Sequence, residues 1–186
     1  MIENHNGVLA ETVDFLDIGS KPRTLSCVGS LLYVGTSLRE LKIIDPKKIL
    51  PRQETSLIVT PTRVNDFLII DNYLYIACFQ GFYSLDLSAP DRHVRQLGKG
   101  PFNSLSYRDG LLYGAARKGL QVYDISNPKE PSQVADWREM HSFRLLTVED
   151  HWLEVYSEDG LTLYEMTEPL AWKKKDTVKE AKYVRV

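Results

Sequence analysis

Short apolar runs, separated by polar turn residues, recur along most of this chain. The pattern is clearest between residues 103 and 137, where Asp109-Gly110 and Lys118-Gly119 stand between successive apolar runs. Glycine adopts positive φ without steric cost, so these pairs are typical of hairpin turns. The pattern therefore predicts four antiparallel strands, at Asn103–Arg108, Leu111–Ala116, Leu120–Ile125 and Ser132–Trp137.

The third of these strands recurs four times, as ELKIID, GFYSLD, GLQVYD and GLTLYE. The acids that end these segments are 41, 38 and 41 residues apart, and each segment follows a related one: SLLYVG, NYLYIA, GLLYGA and HWLEVY. Four-stranded units repeating about every 40 residues are typical of β-propeller blades, which bury one another's faces. A tandem sandwich does not predict so regular a repeat. We therefore predict an all-β, single-domain propeller over residues 1–186, with four-stranded antiparallel blades at 22–60, 61–100, 101–140 and 141–180.

Polar residues at fixed positions in each repeat are interpreted as structural. The acids Asp45, Asp86, Asp124 and Glu165 stand where a strand ends, and a carboxylate there caps free backbone N–H groups. A proline follows four residues after each of the last three acids. Proline has no N–H for the ladder, so the chain must leave the sheet and cross to the outer strand. The recurring Tyr33, Tyr75 and Tyr113 are expected to pack between blades.

The segment GLQVYDISNPKEP, residues 119–131, resembles the LVIVD repeat of bacterial and archaeal β-propellers. The resemblance lies in the glycine, the five-residue core ending in an acid, and the Ile-Ser-Asn-Pro tail with a second proline. It extends over about residues 22–175, although Glu40 replaces the glycine in the first copy and Glu165 the aspartate in the fourth. The resemblance implies a propeller architecture and no particular activity.

The two ends of the chain suggest a fifth, divided blade. Residues 11–21 resemble an outer strand and residues 181–186 an inner strand. Because unpaired edge strands promote association, we expect an incomplete ring or one completed by a partner. A protein partner or a second copy of the chain, and hence a homodimer, fits that gap.

Composition excludes several classes of function. The net charge of −2 argues against nucleic-acid binding, which needs a basic surface. No apolar run reaches the roughly 20 residues of a membrane span. The N-terminus is not a secretory signal, so the expected location is cytoplasmic for a complete chain and extracellular or at the cell surface for a fragment of a longer exported protein. Scattered cysteines and histidines give no metal spacing, and no cofactor motif is present.

Candidate ligand-binding residues follow from the same alignment. The position ten residues before Tyr33, Tyr75, Tyr113 and Glu154 is polar in every repeat and falls where an innermost strand begins: Arg23, Asn65, Asn103 and Arg144. With Arg63 and His141 close by, these residues are predicted to surround the mouth of a central channel. Two arginines there suit a carboxylate or phosphate, while the alternative is that all of them hydrate the channel and bond backbone groups between blades.

These observations favour a non-catalytic scaffold for protein–protein interaction or self-association. Two alternatives stay open: a small polar or anionic ligand binder or enzyme that uses the channel mouth, and a fragment of a cell-surface adhesive propeller. No residue is assigned a catalytic role.

Overall fold

Four antiparallel sheets of four strands form the main part of the computed structural model of the chain. It describes residues 2–3, 9–10, 17–48, 56–89, 91, 93–138, 143–168 and 170–178. Within these ranges helical structure is limited to one 3-10 turn, Pro46–Lys48, and no helix is long and apolar enough to cross a membrane. The predicted all-β class and the four-stranded blades are confirmed.

Strands β1 (Ile2–Glu3) and β2 (Leu9–Ala10) pair in a small separate sheet that the sequence did not suggest. The blades follow in chain order, each running from its innermost to its outermost strand. Blade 1 contains β3 (Pro22–Val28), β4 (Leu31–Thr36), β5 (Glu40–Ile44) and β6 (Ser56–Val59). Blade 2 contains β7 (Val64–Ile70), β8 (Tyr73–Cys78), β9 (Gly81–Asp86) and β10 (Arg95–Lys99).

The second half of the chain repeats this arrangement. Blade 3 contains β11 (Phe102–Arg108), β12 (Leu111–Ala116), β13 (Gly119–Asp124) and β14 (Ser132–Arg138). Blade 4 contains β15 (Leu145–Glu149), β16 (Trp152–Ser157), β17 (Gly160–Glu168) and β18 (Ala171–Val178). The strands of blade 3 lie within one residue of the bounds that the apolar pattern predicts.

The predicted turn chemistry is present. Asp109 and Gly110 both have positive φ, of 48° and 79°, which suits the twist of a two-residue hairpin. At the end of β13 the Asp124 carboxylate accepts a hydrogen bond from the Ser126 N–H at 2.9 Å. Asp45 and Asp86 cap the N–H two residues later in the same way. Glu165 differs: it forms an ion pair of 2.6 Å with Lys175 on the outer strand, because β17 continues to Glu168 and leaves no turn to cap.

Three apolar cores hold the blades together, one at each joint between neighbours. Each joint packs the second, third and fourth strands of one blade against the first three strands of the next. As predicted, the recurring tyrosines are buried in these joints, and burial raises the pKa of the Tyr75 hydroxyl to about 12. The main members are Tyr33, Leu41, Phe67 and Ile76 at the first joint; Tyr75, Phe82, Phe102 and Leu105 at the second; and Tyr113, Leu120, Phe143 and Val155 at the third.

The divided fifth blade stays a prediction. Residues 11–16 and 181–186 lie outside the described residues, and residues 17–21 contain no strand. The segment before blade 1 nevertheless contacts that blade, because the Lys42 ammonium donates a hydrogen bond to the carbonyl of Ile18.

Candidate functional site

A polar cavity lies where the four innermost strands begin. Its volume is about 370 Å³, and every blade contributes to its wall. The lining residues are Arg23, Arg63, Asn65, Asn103, Arg144 and Glu158. We call this cavity the channel mouth. Four of the five predicted ligand-binding residues thus lie around one space, and His141 lies outside the described residues.

The two asparagines at the channel mouth bond to the next blade. The Asn65 side-chain amide donates a hydrogen bond of 2.7 Å to the carbonyl of Phe102, the first residue of blade 3. Asn103 donates an equivalent bond of 2.7 Å to the carbonyl of Phe143, just before blade 4. These bonds match the structural alternative in the sequence analysis, in which polar residues at this position bond backbone groups between blades.

The arginines at the channel mouth differ in their contacts. Arg144 forms an ion pair with Glu158, Nη2 to Oε1 at 3.1 Å, and both side chains are more than half exposed. The Arg63 guanidinium lies 5.2 Å from the ring centre of Phe79, a cation–π arrangement. Arg23 is exposed and makes no hydrogen bond or ion pair with any described residue. The wall therefore holds three cationic groups and one carboxylate.

Two charged residues near this end were missed by the sequence analysis. Glu158 belongs to the hairpin after β16, and that hairpin lies at the same end as the start of the innermost strand, so topology could have suggested it. Asp66 follows Asn65, and its carboxylate accepts hydrogen bonds from the backbone N–H of Phe67 at 2.9 Å and of Leu105 in blade 3 at 2.8 Å. Desolvation raises the pKa of Asp66 despite these bonds. Asp66 thus joins blades 2 and 3 as Asn65 does.

A second feature is the apolar face at each end of the row of blades. In each blade, a residue of the third strand and its neighbour on the fourth strand form what we call the joint pair: Leu41–Ile58, Phe82–Gly98, Leu120–Trp137 and Leu161–Val178. The first three are covered by the next blade, through Val64, Phe102 and Phe143, which are all buried. The fourth is uncovered: Leu161 is 38% and Val178 53% exposed.

Blade 1, at the other end of the row, also has an exposed apolar side chain on its uncovered face. Leu25 on its innermost strand is 65% exposed, whereas the residues at the same position in blades 2 and 3, Phe67 and Leu105, are 2% and 5% exposed. Those two pack on the preceding blade. We call the uncovered faces of blade 4 and blade 1 the free faces. The free face of blade 4 also carries the exposed Glu154, at the position where the other three blades have a buried tyrosine.

Three other groups of side chains bear on function: possible metal ligands, the two cysteines and the lysines of the last outer strand. Among the described residues, no three histidine, cysteine, aspartate or glutamate side chains are grouped to hold a metal ion. Cys27 is exposed and Cys78 buried, and both are free thiols. Lys173 and Lys175 lie on β18, the outermost strand of blade 4, where charged side chains disfavour pairing with another strand.

The fold and its repeated joints define a β-propeller protein. The model of the LVIVD repeat matches residues 63–92 and 103–137, which correspond to most of blade 2 and of blade 3. These two stretches are thus similar to LVIVD repeats, in agreement with the resemblance in the sequence. Comparison with curated proteins gives no match.

Solved structures resemble the chain in fold, at identities too low to transfer a function. The computationally designed Ika4 protein superposes with a TM-score of 0.66 at 12% identity, over 86% of this chain and 99% of Ika4. The Pan2 WD40 domain of Neurospora crassa gives 0.64 at 14% identity, over 87% of this chain and 50% of that one. The N-terminal domain of Nup159 gives 0.63 at 13%, over 83% and 48%. The chain thus spans about half the length of the latter two.

Proposed function

We propose that the chain is a non-catalytic interaction scaffold that associates with a second copy of itself. In this arrangement the free face of blade 4 in one copy packs on the free face of blade 1 in the other, so that two joints close one ring. The exposed pair Leu161–Val178 is the observation that carries the proposal. Its three counterparts are all covered by a following blade, and only this pair is left in water.

The apolar surface at these faces favours association. Burying a leucine or valine side chain contributes roughly 1.5–3 kcal/mol, and each new joint would cover Leu161 and Val178 of one copy and Leu25 of the other. Two identical head-to-tail joints related by a twofold axis form a closed assembly without free faces. The superposition on about half of the Pan2 and Nup159 domains supports a chain that supplies half a ring.

Light scattering on the purified chain tests this proposal directly. We expect a species of twice the 21.3 kDa chain mass. Leu161→Glu places a charge in both joints and should give monomers. Val134→Glu is the matched control, because Val134 is equally exposed, at 39%, but lies on the outermost strand of blade 3, away from the free faces. Circular dichroism checks that each variant is folded.

A mixing experiment tests the head-to-tail geometry. Leu25→Glu should also give monomers, because it alters the other side of the same joint. An equimolar mixture of Leu25→Glu and Leu161→Glu should recover dimer, since one of its two joints then contains only native residues. Wild-type monomers at high concentration would refute the proposal, and so would a mixture that stays monomeric or a series of larger open assemblies.

The location of the chain stays a prediction: cytoplasmic if it is complete, and at the cell surface if it is part of a longer exported protein.

A further inference from the structure

We propose that the channel mouth binds a ligand through the carboxylate groups of that ligand. This goes beyond the self-association proposed above and does not depend on it. All six side chains that line the mouth are polar or charged, so the cavity offers no apolar wall for a hydrophobic ligand. Sites for drug-like ligands are instead mostly apolar.

The charges of the lining decide the sign of the ligand. Arg23, Arg63 and Arg144 carry three positive charges, and Glu158 supplies one negative charge. Arginine stays protonated at any ordinary pH, so the like charges around the mouth repel one another until an anion enters. Arg23 is the most available of the three, because Arg144 pairs with Glu158 and Arg63 stacks on Phe79, whereas the exposed Arg23 guanidinium has no such contact with a described residue.

The chain itself shows that a carboxylate fits at this place. Glu158 lies in the mouth with one carboxylate oxygen 3.1 Å from Arg144 Nη2. A ligand carboxylate can approach Arg23 and Arg63 in the same manner, and the planar guanidinium presents two parallel N–H donors to it. Asn65 and Asn103 already donate to backbone carbonyls of the neighbouring blades. Their role is to keep the wall rigid, and the arginines bind the ligand.

The size of the cavity limits the ligand to one with few carboxylates. A volume of about 370 Å³ is near the lower end of ordinary ligand sites, about 300–1,000 Å³. Two sources supply this chemistry: a free polycarboxylate, or glutamate side chains of an acidic peptide that enters the mouth.

Thermal unfolding with three probes at constant ionic strength separates these sources. The probes are citrate, a hexaglutamate peptide and inorganic phosphate. At ten times its Kd, a bound probe should raise Tm by about 3–6 °C for a chain of this size. A shift with citrate but not with the peptide identifies a free polycarboxylate, and the reverse identifies an acidic peptide. The proposal fails if phosphate alone stabilises the chain, or if no probe does.

Three variants then locate the site, with affinities measured by isothermal titration. Arg23→Ala should raise the Kd of the stabilising probe at least about tenfold, because it removes charge-assisted hydrogen bonds. Glu158→Gln should lower that Kd by about 1.5- to 5-fold, the range for loss of an exposed competing ion pair. Arg138→Ala is the control: it removes the same charge from an exposed arginine on the outermost strand of blade 3 and should leave Kd unchanged.

An equal loss in Arg23→Ala and Arg138→Ala would overturn the proposal, because it would mean general charge attraction. Unchanged or weaker binding in Glu158→Gln would also count against it. Light scattering distinguishes a failure here from a failure of self-association, since Arg23→Ala should keep the mass of the wild-type assembly.

Discussion

Substitution of Gly114 by alanine tests the packing of the joint between blades 2 and 3. A Cβ at this position would lie 2.9 Å from both Cδ1 and Cε1 of Phe102, closer than packed carbon atoms approach. The Phe102 ring is fully buried and cannot move away easily. On another side it faces Gly98, where a Cβ would lie only 3.0 Å from the ring. Phe82 limits it further, at 5.6 Å between ring centres.

The expected magnitude follows from two opposing effects. Inserting a methyl group into a packed core costs about 1–3 kcal/mol. Replacing glycine by alanine also restricts the unfolded chain, which offsets about 0.4–1 kcal/mol of that cost. We therefore expect Gly114→Ala to lower the free energy of unfolding by about 1–2 kcal/mol, which corresponds to a fall in Tm of about 2–8 °C for a chain of this length.

Urea unfolding followed by tryptophan fluorescence measures this loss, and a second substitution assigns its cause. Phe102→Leu alone should destabilise the chain by leaving a cavity. In the Gly114→Ala background the smaller leucine makes room for the added methyl group, so the double variant should be more stable than the sum of the two single effects predicts. If Gly114→Ala is neutral or stabilising, or if the effects of the two substitutions on stability are strictly additive, the Phe102 ring is not packed tightly between Gly98 and Gly114 and the reasoning is refuted.

Three further predictions concern the bonds between blades and at the strand ends. Asn103→Ala should lower the free energy of urea unfolding by about 1–3 kcal/mol, because the buried carbonyl of Phe143 before blade 4 loses its hydrogen-bond donor. Asn72→Ala is the control and should have little effect, because Asn72 lies in an exposed turn. Desolvation raises the pKa of Asp66 in the folded chain. The free energy of unfolding of wild type should therefore rise relative to that of Asp66→Asn as the pH falls through the raised pKa towards 3.8. A difference between the two free energies that does not change with pH would contradict the burial argument. Hydrogen bonding, above all from the Ser126 N–H, lowers the pKa of Asp124, so the advantage of wild type over Asp124→Asn should be present above pH 3.8 and disappear as the pH falls through the lowered pKa.

Much of the fold could be predicted from the order of residues because strands and turns depend on local chemistry. The alternation of apolar and polar residues placed the strands of blade 3 to within one residue, and Asp109-Gly110 has the positive φ that its hairpin needs. Three of the acids, Asp45, Asp86 and Asp124, could be interpreted as caps for the same reason, since each bonds to an N–H only two residues away. Glu165 could not, because its partner Lys175 lies on the neighbouring strand.

The candidate site was predictable only in part. Equivalent positions in repeats must lie at the same end of a propeller, so repeat alignment alone brought Arg23, Asn65, Asn103 and Arg144 together. The alignment could not separate their roles, because the bonds from Asn65 and Asn103 reach carbonyls 37 and 40 residues away in the next blade. Glu158 was not predicted because its partner Arg144, which directly precedes the innermost strand, lies 14 residues earlier in the chain.

The sequence by itself determined the blades: their number among the described residues, their strands and their turns, all of which depend on side chains within a few positions of one another. Only the tertiary structure decided which faces are covered. Leu25 and Phe67 occupy the same repeat position, as do Leu41 and Leu161, and nothing in their local sequence separates the buried from the exposed member. Burial depends on whether a neighbouring blade lies against that face, and this is a property of the assembled row of blades rather than of any one repeat.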